Sequence, residues 1–235
     1  MSTNAVLRTE NLVKTYVTGT IETPALRGVA FELHKGEFTA IAGPSGSGKS
    51  TLLHLLGGLD RPTSGEIYLD GTALSTLKRD ALSRLRLEKI GFVFQAYNLI
   101  PVLTVLENAA FVLELRGVQA HERMARARKV LAELGIEKYA NQYPNRISGG
   151  EQQRVAVARA VVADPSIVLA DEPTANLDSK TSLELIDLMK NLNLSTEHAG
   201  TFLFATHDAR LLDRVNRLVT LVDGEIATDE VRSPL

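Results

Sequence analysis

Gly43-Pro44-Ser45-Gly46-Ser47-Gly48-Lys49-Ser50-Thr51 fits the pattern G-x-x-x-x-G-K-[ST], and its reading decides the fold. It follows an apolar run, Phe38–Ala42, and opens a second one, Thr51-Leu-Leu-His-Leu-Leu-Gly-Gly, which reads as a buried helix closed by glycines. Each part of the stretch has a physical reason. Glycines let successive backbone N–H groups turn inward around phosphate oxygens, where a β-carbon would obstruct them. The helix N-terminus adds partial positive charge. Lys49 reaches the β- and γ-phosphates as a point charge, and the Ser50 hydroxyl is suited to ligate Mg²⁺. The nine residues therefore predict a nucleotide site.

Further along, Ile167-Val-Leu-Ala-Asp171-Glu172 reads as an apolar strand ending in two adjacent carboxylates. Side chains alternate on a strand, so the two acids point differently and take separate tasks. Asp171 is suited to hold Mg²⁺ through its water shell, and Glu172 to polarise an attacking water. Beside a phosphate loop, the pair predicts hydrolysis of ATP in addition to binding.

Around these two sites strands and helices alternate. Residues 1–40 read as short strands and turns (Val6–Leu7, Val29–Leu33, Phe38–Ile41), and Gly65–Leu69 with Asp70-Gly71 continues them. From about residue 75 to 165 the spacing is helical, over Thr76–Lys89, Thr104–Leu115 and His121–Leu134. From residue 166 the alternation returns: Ile167–Ala170 a strand, Ser182–Asn191 a helix, Thr201–Ala205 and Leu218–Val222 strands. Continuous apolar strands between helices predict a mostly parallel sheet buried on both faces. The expected class is α/β: a phosphate-loop NTPase core, an N-terminal antiparallel β part and an inserted helical lobe. One domain is expected over 1–235, with 1–94 and 166–235 as core and about 95–165 as helical subdomain.

Composition removes several functions. Lys plus Arg number 26 against 28 Asp plus Glu, a net charge of −2, so no basic footprint for nucleic acid or polybasic membrane anchor is present. Cysteine is absent, which excludes disulfides, thiolate nucleophiles and Cys-ligated zinc. No apolar run reaches the roughly 18 residues that span a bilayer. Val102–Leu115 is broken by Glu107 and Glu114, and Val155–Ala170 by Arg159, Asp164 and Pro165. Met1–Glu10 lacks the basic start and apolar stretch of a signal peptide. The expectation is a soluble cytoplasmic protein.

Ile147-Ser148-Gly149-Gly150-Glu151-Gln152-Gln153-Arg154, ahead of a helix over Val155–Val162, is the most specific feature. At average residue usage, S-G-G-x-x-Q-R would arise by chance in roughly one chain in several thousand. Ser-Gly-Gly before a helix is a second anion site, without a lysine. With these residues in order, the chain resembles the ATP-binding-cassette ATPases over essentially its whole length. The resemblance implies further roles. Tyr16 matches the aromatic that stacks on adenine, and Gln95, in Phe92-Val-Phe-Gln95, the residue linking Mg²⁺ and water to the helical lobe. Ser148, Gly149, Gly150 and Glu151 match the segment meeting the ATP of an opposite subunit. Asp178, in Ala175-Asn176-Leu177-Asp178, matches the loop that speaks to that subunit. His207, in Phe204-Ala-Thr-His207-Asp208, matches the histidine sensing the γ-phosphate. Glu172, His207, Gln95 and Lys49 are then the catalytic set, and Ser50, Gln95 and Asp171 the metal set. His34, His54, His121 and His198 receive no role. The sequence departs from the family pattern at Ile147 (usually Leu), Glu151 (frequently Gln) and Asn176 (often a small residue).

The resemblance also implies a mechanism: two cassettes pack head to tail around two ATP, and hydrolysis parts them. The cofactors expected are ATP and Mg²⁺. The partners expected are a second copy or a homologous cassette, and separate permease subunits through which alone the chain contacts the cytoplasmic side of the inner membrane. The alternative is a soluble cassette acting on DNA or ribosomes. Against it, no long coiled coil separates Ser50 from Ser148, and the charge offers nucleic acid no patch. A phosphate-loop kinase or GTPase is excluded by Ser148–Arg154 and by the lack of an N-K-x-D motif. Leu52–Gly65 and Phe94–Asn108 resemble the lipoprotein-releasing and macrolide-export group, which implies a permease groove over Tyr97–Glu107.

Overall fold

The computed structural model describes residues 5–195 and 200–232. Residues 1–4, the start of the Met1–Glu10 stretch, and His198 lie outside them. A long hairpin opens the chain: β1 (Ala5–Thr18) pairs antiparallel with β2 (Ile21–His34). Both strands exceed the short runs read from sequence. Their outer halves are exposed, Val17 and Ile21 included, so backbone pairing continues where burial has stopped. After β3 (Phe38–Ala42) and the glycine loop come α1 (Lys49–Leu56), β4 (Ser64–Leu69) and β5 (Thr72–Ala73). The first sheet runs β2-β1-β4-β5, antiparallel throughout.

Next come α2 (Arg79–Lys89), β6 (Ile90–Val93), α3 (Val105–Leu115), α4 (Ala120–Glu133) and α5 (Gly149–Val161). The chain then alternates through β7 (Ile167–Asp171), α6 (Ser179–Leu194), β8 (Phe202–Ala205), α7 (Ala209–Leu212), β9 (Arg217–Val222) and β10 (Glu225–Val231). The second sheet runs β10-β9-β3-β8-β7-β6, parallel except for β10.

β6 is the apolar strand expected ahead of Gln95; it closes the 1–94 part of the core, within a stretch whose spacing otherwise reads as helical, and pairs with β7. Its Gly91 lies under α5, where an added β-carbon would come 2.3 Å from the Ala160 carbonyl oxygen. β10 was not expected, because an exposed, charged edge strand carries no apolar signal. Its hairpin turn, Asp223-Gly224 with φ 49° and 82°, is the trace it leaves in sequence.

The parallel sheet is buried on both sides, as the continuous apolar strands predict. Phe38, Ala40, Val168, Ala170, Phe202 and Phe204 face the helices of the lobe and α6. Ile41, Ile167, Leu169, Leu203 and Ala205 face α1 and the antiparallel sheet. This alternation is the strand period of two. Among the described residues, no helix is long and apolar enough to cross a membrane.

Candidate active site

β3 delivers the chain to the loop at the C-terminal edge of the sheet. Gly43, Gly46 and Gly48 have φ of 152°, 81° and 101°. At Gly43 a β-carbon would meet the Leu221 carbonyl oxygen at 2.1 Å, and at Gly48 the Ala25 carbonyl oxygen at 2.5 Å. The chain is thus threaded between β9 and β2 by residues that have no side chain. Gly48 starts α1 without a side-chain cap, and no acid sits in the first turn. The first carbonyl captured is that of Gly48, by the Leu52 N–H at 2.8 Å. The N–H groups of Lys49, Ser50 and Thr51 precede that bond and have no acceptor within the helix. Lys49 Nζ lies 2.8 Å from the Gly43 carbonyl oxygen and 3.0 Å from that of Pro44, folded over the loop it serves.

Gly43, Pro44, Ser45, Gly46, Gly48, Lys49, Ser50, Thr51, Gln95, Glu172 and His207 line one cleft of about 540 Å³. Ser47 is buried beneath the loop and lies outside the lining. Tyr16 is also outside it. Its hydroxyl donates to Asp60 Oδ2 at 3.2 Å, Lys14 Nζ lies 4.8 Å from the ring centroid, and the residue is 41% exposed.

The two acids separate, but at the strand's end and not by its alternation: β7 closes on Asp171, and Glu172 lies just past it. Asp171 Oδ1 accepts from the Ser50 hydroxyl at 3.0 Å, so two oxygen ligands expected for the metal already converge. Burial, and then the neighbouring Glu172 charge, push the Asp171 carboxyl above the ordinary range. A dication beside it would relieve that cost, so the pair fits Mg²⁺. Among the described residues no group of three His, Cys, Asp or Glu could hold a metal. Mg²⁺ keeps several waters and binds through one or two carboxylates plus substrate phosphates.

Glu172 turns the opposite way because its backbone is left-handed, with φ 45°. Its Oε2 accepts from the Thr206 hydroxyl at 3.0 Å, and its Oε1 lies 2.6 Å from His207 Nδ1. The His207 side chain is 74% exposed and stands over the cleft. Gln95 also lines the cleft, and its main-chain carbonyl oxygen accepts from Asn176 Nδ2 at 2.9 Å.

Ser148, Gly149, Gly150 and Glu151 do not join the cleft. Ser148 caps α5, and Asp178 caps α6 by accepting from the Lys180 and Thr181 N–H groups. The two helix starts nonetheless touch. A β-carbon on Gly150 would meet Thr181 Cγ2 at 2.4 Å, and the Thr181 hydroxyl donates to Asp178 Oδ2 at 2.6 Å. The structure therefore groups the signature glycines with Asp178, apart from the cleft.

Three residues join the site without having been singled out for it. Thr206 holds Glu172. Asn176, read as a departure from the family, holds the Gln95 carbonyl. Gln153 is fully buried, and its Nε2 donates to the Pro173 carbonyl at 2.7 Å, tying α5 to the loop behind Glu172. Their signal was adjacency to motif residues.

The comparisons with known proteins agree. The family model described as ABC transporter matches residues 26–175. An uncharacterized ABC transporter ATP-binding protein of Thermotoga maritima is 45% identical over 97% of this chain and 96% of its own length. The uncharacterized ABC transporter ATP-binding protein MJ0796 of Methanocaldococcus jannaschii is 46% identical over 96% of this chain and 97% of its own. The solved MJ0796 dimer in a post-hydrolysis state, bound to ADP and Pi, superposes with a TM-score of 0.88 at 43% identity, covering 97% of this chain and all of that one. CbiO1 of Clostridium perfringens, part of the cbiONQ transporter complex, gives 0.86 at 28% identity, over 97% of this chain and 89% of its own. With the phosphate loop, the acidic strand end and the signature helix all in place, this chain belongs to the ABC transporter family and is one of its ATP-hydrolysing cassettes.

Proposed function

We propose that two copies of this chain, or this chain and a homologous cassette, close head to tail on two ATP and drive separate permease subunits from the cytoplasmic face of the membrane. The observation that carries this reading is the convergence of Lys49, Ser50, Gln95, Glu172 and His207 on one cleft. The dimeric state of MJ0796 and the place of CbiO1 in a transporter complex support it.

In this mechanism the loop N–H groups and Lys49 hold the β- and γ-phosphates, while Ser50, Gln95 and Asp171 would hold Mg²⁺, which would neutralise phosphate charge. Glu172, fixed by Thr206, orients the attacking water, and His207 stands where charge develops on the γ-phosphoryl oxygens. Gln95 couples the cleft to the helical lobe. Ser148 and the glycines after it meet the ATP of the other cassette, and Tyr16 stacks on adenine from the hairpin.

The permease reading is supported by a groove of about 660 Å³ between core and helical lobe. It is lined by apolar side chains including Phe92, Phe94, Ile100, Phe111 and Leu115. Asn98 and Ile100, from the segment expected to receive a coupling helix, also line it. We infer a system of the lipoprotein-releasing and macrolide-export kind, from the resemblance of Leu52–Gly65 and Phe94–Asn108. The test is phosphate release by the wild type against Lys49→Ala, followed by co-purification with a four-helix permease bearing a large extracytoplasmic domain. A Lys49→Ala protein that binds ATP as tightly as the wild type would overturn the cradle assignment.

A further inference from the structure

The start of α5 already contains an anion. The Ser148 N–H and the Ser148 hydroxyl both donate to Glu151 Oε2, each at 2.8 Å, and the Glu151 N–H points back to Ser148 Oγ at 3.4 Å. We propose that Glu151 is an internal occupant of the signature's anion site, and that its carboxylate must release Ser148 before the nucleotide of the second cassette can be bound there. This rests on the reading of Ser148 as the residue that meets that nucleotide.

The competition follows from donor count. A serine hydroxyl has one proton to donate. While Glu151 takes it, a phosphate oxygen at the same place meets an acceptor lone pair and a carboxylate. The carboxylate is well held as an anion. Partial burial opposes ionisation, but hydrogen bonds from Tyr139 and from the Ser148 N–H and hydroxyl outweigh it, helped by the Lys138 charge, and keep its pKa below the usual range. The contrast with α1 is direct, since that helix starts with neither a side-chain cap nor a first-turn acid and its donors stay open to phosphate. The same box of Thr104 with Glu107 starts α3, so the box alone is an ordinary helix start. What sets α5 apart is that phosphate is expected at its hydroxyl. A glutamine at 151 would build the box with neutral, weaker bonds. The glutamate therefore makes dimer closure demand more ATP, once at each of the two sites.

The experiment is sedimentation velocity over an ATP titration in a Glu172→Gln background, in which the closed dimer is expected to accumulate. Glu151→Asp keeps the charge but is one methylene too short to reach the Ser148 donors, so it separates occupancy from simple repulsion. Half-maximal dimerisation at about 3- to 10-fold lower ATP is expected for Glu151→Asp, as for Glu151→Gln. A Glu151→Asp protein that dimerises no more readily than its parent overturns the proposal, whatever Glu151→Gln does. Ser148→Arg in the same background isolates the parent reading. If it still dimerises, the role of Ser148 itself fails; if it stays monomeric, a negative result with Glu151→Asp counts against the gate alone.

Discussion

Glu172 Oε1 lies 2.6 Å from His207 Nδ1, and the pairing exists because Glu172 takes a left-handed backbone, φ 45°, on leaving β7. Its N–H is fixed to the Ala205 carbonyl oxygen at 2.9 Å, so the turn is made while the residue is still anchored to β8. Extended backbone would have continued the strand past β8. A left-handed non-glycine residue costs of order 1–3 kcal/mol and persists where its surroundings over-determine it. Here it aims one carboxylate at a histidine over the cleft while the preceding one stays with Ser50.

Glu172→Gln keeps size and the Thr206 contact but removes the base. Phosphate release should fall about 10²- to 10⁴-fold. Nucleotide binding by the monomer should persist, and ATP should now accumulate a dimer detectable by light scattering. Turnover near the wild-type rate would remove Glu172 from the base role.

Thr206→Val tests how much the aim of that base depends on its second support. The hydroxyl donates to Glu172 Oε2 and accepts from the Asp208 N–H at 3.0 Å, so valine deletes both bonds at a fully buried position. Hydrogen bonds to charged groups are worth about 1.5–3 kcal/mol, so kcat should fall roughly 10- to 100-fold with little change in KM. Thr206→Ser should restore most of it. Equal kcat in wild type and Thr206→Val would show that Glu172 is positioned by its backbone alone.

The legible parts of this protein were those where chemistry restricts residue type. Only glycine tolerates the threading of Gly43 past Leu221, so the loop is written in the sequence as a motif. Buried parallel strands are apolar on both faces, so β3, β7, β8 and β9 were readable as runs. β10 was not, because an edge strand needs only its backbone. Thr206 and Asn176 were not either, because a single hydrogen bond to a catalytic group leaves no spacing pattern. The capping role of Glu151 is written in Ser148-x-x-Glu151, but the same four residues also carry the signature pattern, which implies phosphate contact.

Gly43→Ala and Gly46→Ala should separate folding from binding within one loop. At Gly43 the new methyl would sit 2.1 Å from a backbone oxygen of β9 and 2.8 Å from Ser47 Oγ, neither able to yield cheaply. A stability loss of about 1–3 kcal/mol or more is expected by chemical denaturation. At Gly46 nothing lies within 4 Å and only the φ of 81° opposes alanine, so the loss should be about 1–2 kcal/mol. Its methyl would enter the phosphate cradle, however, and ATP affinity measured by calorimetry should drop at least as far as for Gly43→Ala.

Asp171→Asn should stabilise the nucleotide-free protein while abolishing hydrolysis. Burial raises the folded-state pKa of Asp171 above its ordinary value of 3.8. For a group with a raised folded pKa, the favourable contribution is complete below the unfolded pKa and is lost as pH rises through the folded one. At neutral pH the ionised carboxylate is therefore a net cost that asparagine removes. Thermal unfolding without nucleotide should show a higher Tm for Asp171→Asn at pH 7, and the advantage should shrink towards pH 4. With Mg²⁺ and ATP the order should reverse, because only the wild type keeps the carboxylate charge that holds the metal. An unchanged Tm at pH 7 would mean that the Ser50 bond and the nearby His54 fully offset the burial.

The permease groove needs a variant that changes its surface without unmaking the helical lobe. Glu107 is unsuitable, since its carboxylate holds the Thr104 N–H and hydroxyl, both at 2.8 Å, and reversing its charge would uncap α3. Leu99 packs against the core, so an aspartate there would act on folding. Leu115 lines the groove, is 56% exposed and closes α3, where a cation suits the helix dipole. Leu115→Lys should therefore leave the Tm within a few degrees and basal ATP hydrolysis unchanged. It should weaken co-purification with the permease about 10-fold or more, as expected when an apolar interface contact is replaced by a charge. Undiminished co-purification, with folding and hydrolysis intact, would place the docking surface elsewhere on the cassette.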